Sequence, residues 1–155
     1  MGKSLETPKG SVWALFLTAH AVVVEAIEMR LARAGLPALA WYDALWALER
    51  AGDRRLRMRE LAELTVISRS NLTRLVDRLE SAGLVERERA QEDGRGAFAV
   101  ISAQGRALRR KMWPLYAAAI KDLFEDRLTE REAAVMGNAL RSILAAVRDR
   151  KKEDA

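Results

Sequence analysis

Between Ser68 and Ile101 the spacing of apolar residues changes character, and that change restricts the fold more than any other feature. Leu72, Leu75, Val76 and Leu79 recur at helical spacing behind Ser68. The Ser68 hydroxyl suits an N-cap, and Gly83 closes the helix after about Ala82. Two short β-prone segments follow, Leu84 to Arg89 and Ala97 to Ile101, separated by AQEDGRG, whose Asp-Gly pair is a strong hairpin turn signal. A short helix from Met58 to Leu64 and a turn precede Ser68, and Arg54 to Arg57 has room only for a small strand. The pattern predicts a helix-turn-helix followed by a β-hairpin wing.

The rest of the chain reads as helix. Ser11 can cap a helix from Val12 to about Ala34, ended by Gly35-Leu36-Pro37. Its apolar residues (Val12, Trp13, Phe16, Val23, Ile27 and Leu31, widened by Leu15, Val22 and Met29) cover more than one side, so a second partner is expected, most simply a second copy. A helix from Leu39 to Arg50 puts Trp41, Leu45 and Leu48 on one face and stops at Gly52. Ser102 caps a long helix through Leu108, Met112, Leu115 and Phe124, with a kink expected at Pro114. Thr129 and Glu132 form a T-x-x-E capping box at the start of the last helix, and the tail RDRKKEDA is expected to fray. The fold class is therefore mainly α with a small β wing, and residues 1–155 read as one domain.

Composition removes several functions. With no cysteine there is neither a disulfide nor a thiolate metal site, and a single histidine, His20, cannot build a multi-histidine metal site. No catalytic residues, metal ligands or cofactors are expected, since nucleophile–base pairs and phosphate-cradling glycine loops are also missing. No run approaches the length of uncharged apolar residues needed for a membrane span, and MGKSLETPKG has no apolar signal segment, so a cytoplasmic protein is expected. Lys plus Arg exceed Asp plus Glu by 27 to 22, but Arg54 to Arg95 carries ten Arg against eight acidic residues. A nucleic-acid face must therefore come from the placement of charges.

The helix after Ser68 has the side chains such a face needs. A helix that enters the major groove requires an apolar inner side and outward donors for phosphates and base edges. Ser70, Asn71, Thr73, Arg74 and Arg78 fall largely away from the leucine stripe, with Ser68 and Arg69 at the N-terminal end of the helix. Arg can bind guanine bidentately and Asn adenine, while Ser and Thr serve bases or phosphates. In the wing, Arg95 can enter a narrow minor groove, and Asp93 can hold an arginine in place. A solvated helix face explains the first set alone, and a plain turn explains the second alone. Their adjacency favours DNA.

The stretch RELAELTVISRSNLTRLVDRLESAGLVERERAQEDGRGAFAVISAQG resembles the MarR family of bacterial winged-helix regulators. The family's leucine-alanine helix, its reading helix ending in D-R-L-E, and its G-L-V-x-R, D-x-R and L-T-x-x-G segments correspond to Glu60–Ala62, Ser68–Glu80, Gly83–Arg87, Asp93–Arg95 and Ile101–Gly105. Two departures are Ser102 where Thr is usual and Gly94 between Asp93 and Arg95. The resemblance extends over about Val12 to Arg148. It implies a winged helix-turn-helix lobe over about 39–101 and dimerisation helices over about 12–34 and 103–148. It further implies a homodimer on double-stranded DNA at a pseudo-palindromic operator, usually repressing by occlusion. A small aromatic or phenolic effector commonly binds between the dimer helices and the DNA lobe, where Trp13, His20, Trp41, Asp43, Trp113 and Tyr116 are the candidates. Core packing explains the same tryptophans. Arg106, Arg109, Arg110 and Lys111 open the fifth helix, where cations oppose the helix dipole, and either DNA phosphate or solvent could account for them. The competing function is a winged-helix module that binds protein and not DNA.

Overall fold

The structure, a computed structural model, describes residues 8–65, 67–89 and 96–153. Along these the chain forms α1 (Pro8–Arg33), α2 (Leu39–Arg50), β1 (Arg55–Arg57), α3 (Met58–Leu64) and α4 (Arg69–Ser81). It continues through β2 (Val85–Arg89), β3 (Ala97–Ile101), α5 (Ala103–Leu123), a 3-10 turn at Glu125–Arg127, and α6 (Glu130–Glu153). Two compact units result, Met1–Ala117 and Ala118–Ala155.

In the first unit the strands form an antiparallel sheet in the order β1-β3-β2. The small strand predicted near Arg54 thus pairs with the inner side of the wing, with Leu56 opposite Ala99 and Arg57 opposite Phe98. Alternation along the strands turns Val85, Ala99 and Ile101 inward, where they meet Leu45 and Leu48 of α2, Leu61 of α3 and the leucine stripe of α4 in one core. Leu72, Val76 and Leu79 are at most 1 % exposed. Burying a side chain of that size contributes about 1.5–3 kcal/mol, so this stripe dictates how α4 is rolled.

The junction between α4, the wing and α5 is tightly specified. Gly83 follows α4 with φ +74°, a conformation costly for any residue with a Cβ. The Ser102 hydroxyl donates to the Gly83 carbonyl at 2.7 Å and accepts from the Gly105 backbone N–H at 3.0 Å, so it caps α5 while binding it to the end of α4. The Leu84 carbonyl accepts from the Ser102 N–H at 3.0 Å. A Cβ on Gly105 would sit 2.2 Å from that same Leu84 oxygen and 2.9 Å from Ile101 Cγ1. Only glycine lets α5 start this close to the wing.

In the second unit the Thr129 capping box forms as predicted: the Thr129 N–H donates to Glu132 Oε2 at 2.8 Å, and the Glu132 N–H donates to Thr129 Oγ1 at 3.2 Å. These bonds hold the Glu132 carboxyl below its ordinary range, with the Thr129 backbone N–H as the main cause.

Three expectations are corrected. Helix α1 begins at Pro8, which leaves Ser11 inside it; a proline is tolerated in a first turn because its missing N–H has no helical partner to lose. Helix α6 continues to Glu153 without fraying at Arg148, and Arg150, Lys151 and Lys152 complement the negative end of its dipole. Finally, α1 passes over Gly10–Arg33 for a helix able to cross a membrane by length and composition only, its most apolar 18-residue stretch having mean hydropathy 1.6. Ser11, Thr18 and His20 interrupt its apolar runs, but the Val, Leu, Phe and Ala around them keep the mean high. The apolar side chains of α1 and, separately, of α6 remain largely exposed in the single chain, including Val12, Leu15 and Val22 on the former and Val135, Ile143 and Val147 on the latter.

The Gly105→Ala variant should lose about 1–3 kcal/mol of unfolding free energy, the usual cost of forcing an extra carbon into a packed site. Urea denaturation checks this, and an unchanged midpoint would mean that α5 can step away from Leu84 freely.

Candidate nucleic-acid interface

Ser68 adopts extended backbone angles, φ −63° and ψ 152°, and its hydroxyl accepts the Asn71 N–H at 3.4 Å. Helix α4 therefore starts where its sequence predicts. With Leu72, Leu75, Val76 and Leu79 buried, the opposite surface exposes Ser68, Arg69, Ser70, Asn71, Thr73, Arg74 and Arg78. Ser70, Arg74 and Arg78 are spaced four apart and share one line, with Asn71 beside them. Thr73 lies toward the flank, and its hydroxyl donates to the Arg69 carbonyl at 3.2 Å.

Charge on this surface is not cancelled locally. Among the described residues Arg69, Arg74 and Arg78 enter no ion pair, whereas Arg55, Arg87 and Arg109 all do. Arg55 lies 2.8 Å from Asp53 and 3.5 Å from Glu88, and both Arg55 and Arg57 stack over the Phe98 ring, at 4.5 and 4.9 Å from its centre. These two arginines cover an apolar ring on the outer sheet face. Those of α4 present bare guanidinium groups. Wing pairing extends to Arg89 opposite Ala97, with Gly96 at φ +82°. Asp93 and Arg95, the predicted wing-tip residues, lie outside the described residues.

The basic cluster at the start of α5 divides. Arg109 pairs with the Glu49 carboxylate of α2, both side chains being less than one-fifth exposed, and its guanidinium lies 4.9 Å from the Trp46 ring centre. Burial opposes the Arg109 charge, and hydrogen bonds to Glu49 and the Tyr42 hydroxyl outweigh it, leaving the group more firmly protonated. Arg109 thus fastens α5 to α2. Arg106 is half-buried, and Arg110 and Lys111 are exposed.

Of the six effector candidates, the structure groups Trp113, Tyr116 and Asp43 around Tyr42, a residue the sequence reading missed. Tyr42 stacks on Trp113 at 5.9 Å and meets Tyr116 edge-on at 5.0 Å, and Trp113 and Tyr116 meet at 6.0 Å. Tyr42 shares the spacing of Leu39 and Leu45, and that periodicity could have identified it as buried. Burial raises the Asp43 carboxyl above its usual range, and it raises Tyr116 too, helped by the negative charge of Asp43. Trp41 packs partly on the core of the lobe. Trp13 is exposed on α1 beside Phe16, 6.2 Å away, and His20 is also exposed. A separate open groove of about 480 Å³ lies along α1 and is lined by Val24, Glu28, Met29 and Leu36 among others, with none of the six candidates on its walls.

Comparison with known proteins gives a consistent answer. A family profile described as MarR family matches residues 34–96. The HTH-type transcriptional regulator SarZ of Staphylococcus aureus (strain MRSA252) is 31 % identical over 104 residues, covering 67 % of each chain. The crystal structure of AbsC, a MarR family transcriptional regulator from Streptomyces coelicolor, superposes with a TM-score of 0.83 at 30 % identity, covering 92 % of this chain and 97 % of AbsC. Sco3205, a MarR family transcriptional regulator from the same organism solved in complex with DNA, gives 0.83 at 31 % identity, covering 91 % and 92 %.

The environment of Asp43 yields a pH-dependent expectation. Its folded-state pKa is raised, so the native state binds more protons than the unfolded one between the ordinary carboxylate value and the raised one. Stability on this account falls as pH rises through that window. Asp43→Asn should melt higher than the wild type at pH 7 and lose that advantage below about pH 4, where the carboxyl is neutral in both states. A lower melting temperature for the variant at pH 7 would contradict the assignment.

Proposed function

The chain belongs to the MarR family of transcription regulators, and from that premise we propose that it binds double-stranded DNA sequence-specifically as a homodimer, represses by occluding a pseudo-palindromic operator, and is released by a small aromatic or phenolic effector. The observation that carries the reading is the surface of α4, where exposed donors and guanidinium groups outside any ion pair among the described residues stand opposite a fully buried stripe. Sco3205, similar along almost the whole chain, was solved with DNA bound. Ser70, Asn71, Thr73 and Arg74 then meet bases or nearby phosphates, Ser68 and Arg69 mainly phosphates, with Arg78 on the same surface, and Arg95 the minor groove.

A second copy covers the exposed apolar residues of α1 and α6, since patches of this kind mark interaction surfaces on a soluble partner as readily as on a lipid one. Two-fold symmetry places the two reading helices in successive major grooves, with half-sites about one helical turn apart. The Tyr42, Trp113 and Tyr116 cluster is the proposed effector-responsive element. It joins α2 of the DNA lobe to α5, so a planar ring inserted there alters the attachment of one to the other.

Gel shifts on duplex DNA from upstream of its own gene test the main claim. Arg74→Ala and Arg95→Ala should each weaken binding and make the dependence of affinity on salt shallower, by roughly 0.9 in the log–log slope for each phosphate no longer neutralised. No binding to any duplex at low salt would return the chain to the protein-interaction class, and an unchanged slope for Arg95→Ala would remove the wing from the interface.

Effector binding is tested by titrating the dimer–DNA complex with a panel of small phenolic carboxylates. The expected result is quenching of tryptophan fluorescence that tracks DNA release and is diminished in Trp113→Phe. Release with fluorescence unchanged would move the effector site elsewhere.

A further inference from the structure

We propose that Arg87 is a positioning residue, which ties the wing strand to the reading helix so that both meet DNA at one set angle; this rests on the DNA-binding reading above. Arg87 occupies an inward position on β2, opposite Ala99, between the buried Val85 and the end of strand pairing at Arg89. An arginine at such a place needs partners for its guanidinium, and the small side chain of Ala99 leaves it room to reach them. All of them are on α4. One terminal nitrogen lies 2.7 Å from Asp77 Oδ1 and donates to the Thr73 carbonyl at 3.4 Å, while the other donates to Glu80 Oε1 at 3.4 Å. The Arg87 backbone N–H donates to the second Glu80 oxygen at 3.0 Å.

Thr73, Asp77 and Glu80 are spaced four and three apart, so they form one flank of α4 along two turns. A guanidinium fork can engage that flank at several points simultaneously, which a lysine ammonium cannot do with the same geometry. Position in the sheet gives the tether its importance. β2 is an edge strand, and β1 supports β3 only as far as Phe98, so the wing leaves the body of the lobe almost where Arg87 grips α4. Two isolated strands are marginally stable, and their direction depends on what holds their base.

The same contacts separate Arg87 from the proposed DNA contacts. Arg69, Arg74 and Arg78 make no ion pair among the described residues, whereas Arg87 faces two carboxylates that neutralise it. Those carboxylates are half exposed, at 59 % and 44 %, so the network adds little to global stability. Its loss is expected in recognition and not in melting.

The test uses Arg87→Gln, Arg87→Lys and Asp77→Asn in the full-length protein, with hydrogen exchange on the free protein and affinity for its preferred duplex, selected from a random library. Expected are faster exchange of the β2 amides, melting temperatures close to wild type, and affinity lowered about tenfold, as when one base pair of a site is mismatched. The salt slope should stay at the wild-type value, with Arg87→Lys nearly as impaired as Arg87→Gln. A slope reduced by about one would make Arg87 a phosphate contact and overturn the proposal, as would unaltered exchange and affinity. Should Arg87→Gln fail to fold, Arg87→Lys and Asp77→Asn decide the matter. If the wild type binds no duplex, the DNA reading fails, while exchange at β2 still shows whether Arg87 holds the wing to α4.

Discussion

The DNA-binding surface proposed for this protein depends on the burial of one side of α4. Leu72, Leu75, Val76 and Leu79 enter a core shared with α2, α3 and the sheet, and a helix so anchored has no freedom to roll. Rolling it by one residue would expose leucines and bury an asparagine or an arginine, each without a partner, at a cost of several kcal/mol. The donors of α4 face outward because the leucines cannot. Polar chemistry at the proposed interface is thus oriented by an apolar constraint on the other side of the helix.

A second constraint transmits that orientation to the rest of the lobe. Gly83, Leu84, Ser102 and Gly105 make the end of α4, the start of the wing and the start of α5 a single closely packed junction. The Ser102 hydroxyl serves both helices, and Gly105 admits a backbone contact that no other residue could. Across the lobe, Arg109 makes the other fastening, joining α5 to α2 through Glu49, Tyr42 and Trp46. The two attachments lie at different points along α5, and each joins that helix to elements that pack in the core beneath α4.

Local signals account for what was legible in the sequence. The bounds of α2 and α3, the Ser68 and Ser102 caps, the Gly83 stop, the Thr129 capping box and the strand at Ala97 are each written in a few neighbouring residues, and each is present. Helix ends that depend on weaker preferences were placed less well, as at Pro8 and beyond Arg148. Contacts distant in sequence could not be read at all. Arg109 with Glu49, and Arg87 with Asp77 and Glu80, depend on which faces the fold brings together, and periodicity on one element carries no information about the element opposite. The aromatic candidates show the same limit: Trp113 and Tyr116 meet through Tyr42, while Trp13 and His20 stand on the exposed surface of α1.

The arginines show why net charge was a poor guide. From Arg54 to Arg95 basic residues barely outnumber acidic ones, yet the excess is not spread evenly. Arg55 and Arg87 are matched by carboxylates, Asp53 and Glu88 for the one and Asp77 and Glu80 for the other, and these pairs join strand to strand and wing to helix. Among the described residues Arg69, Arg74 and Arg78, on the outward side of α4, enter no ion pair. A polyanion approaching the lobe meets a field set by which guanidinium groups the fold has left uncommitted, and an ion pair elsewhere offers it less because a carboxylate already faces the cation.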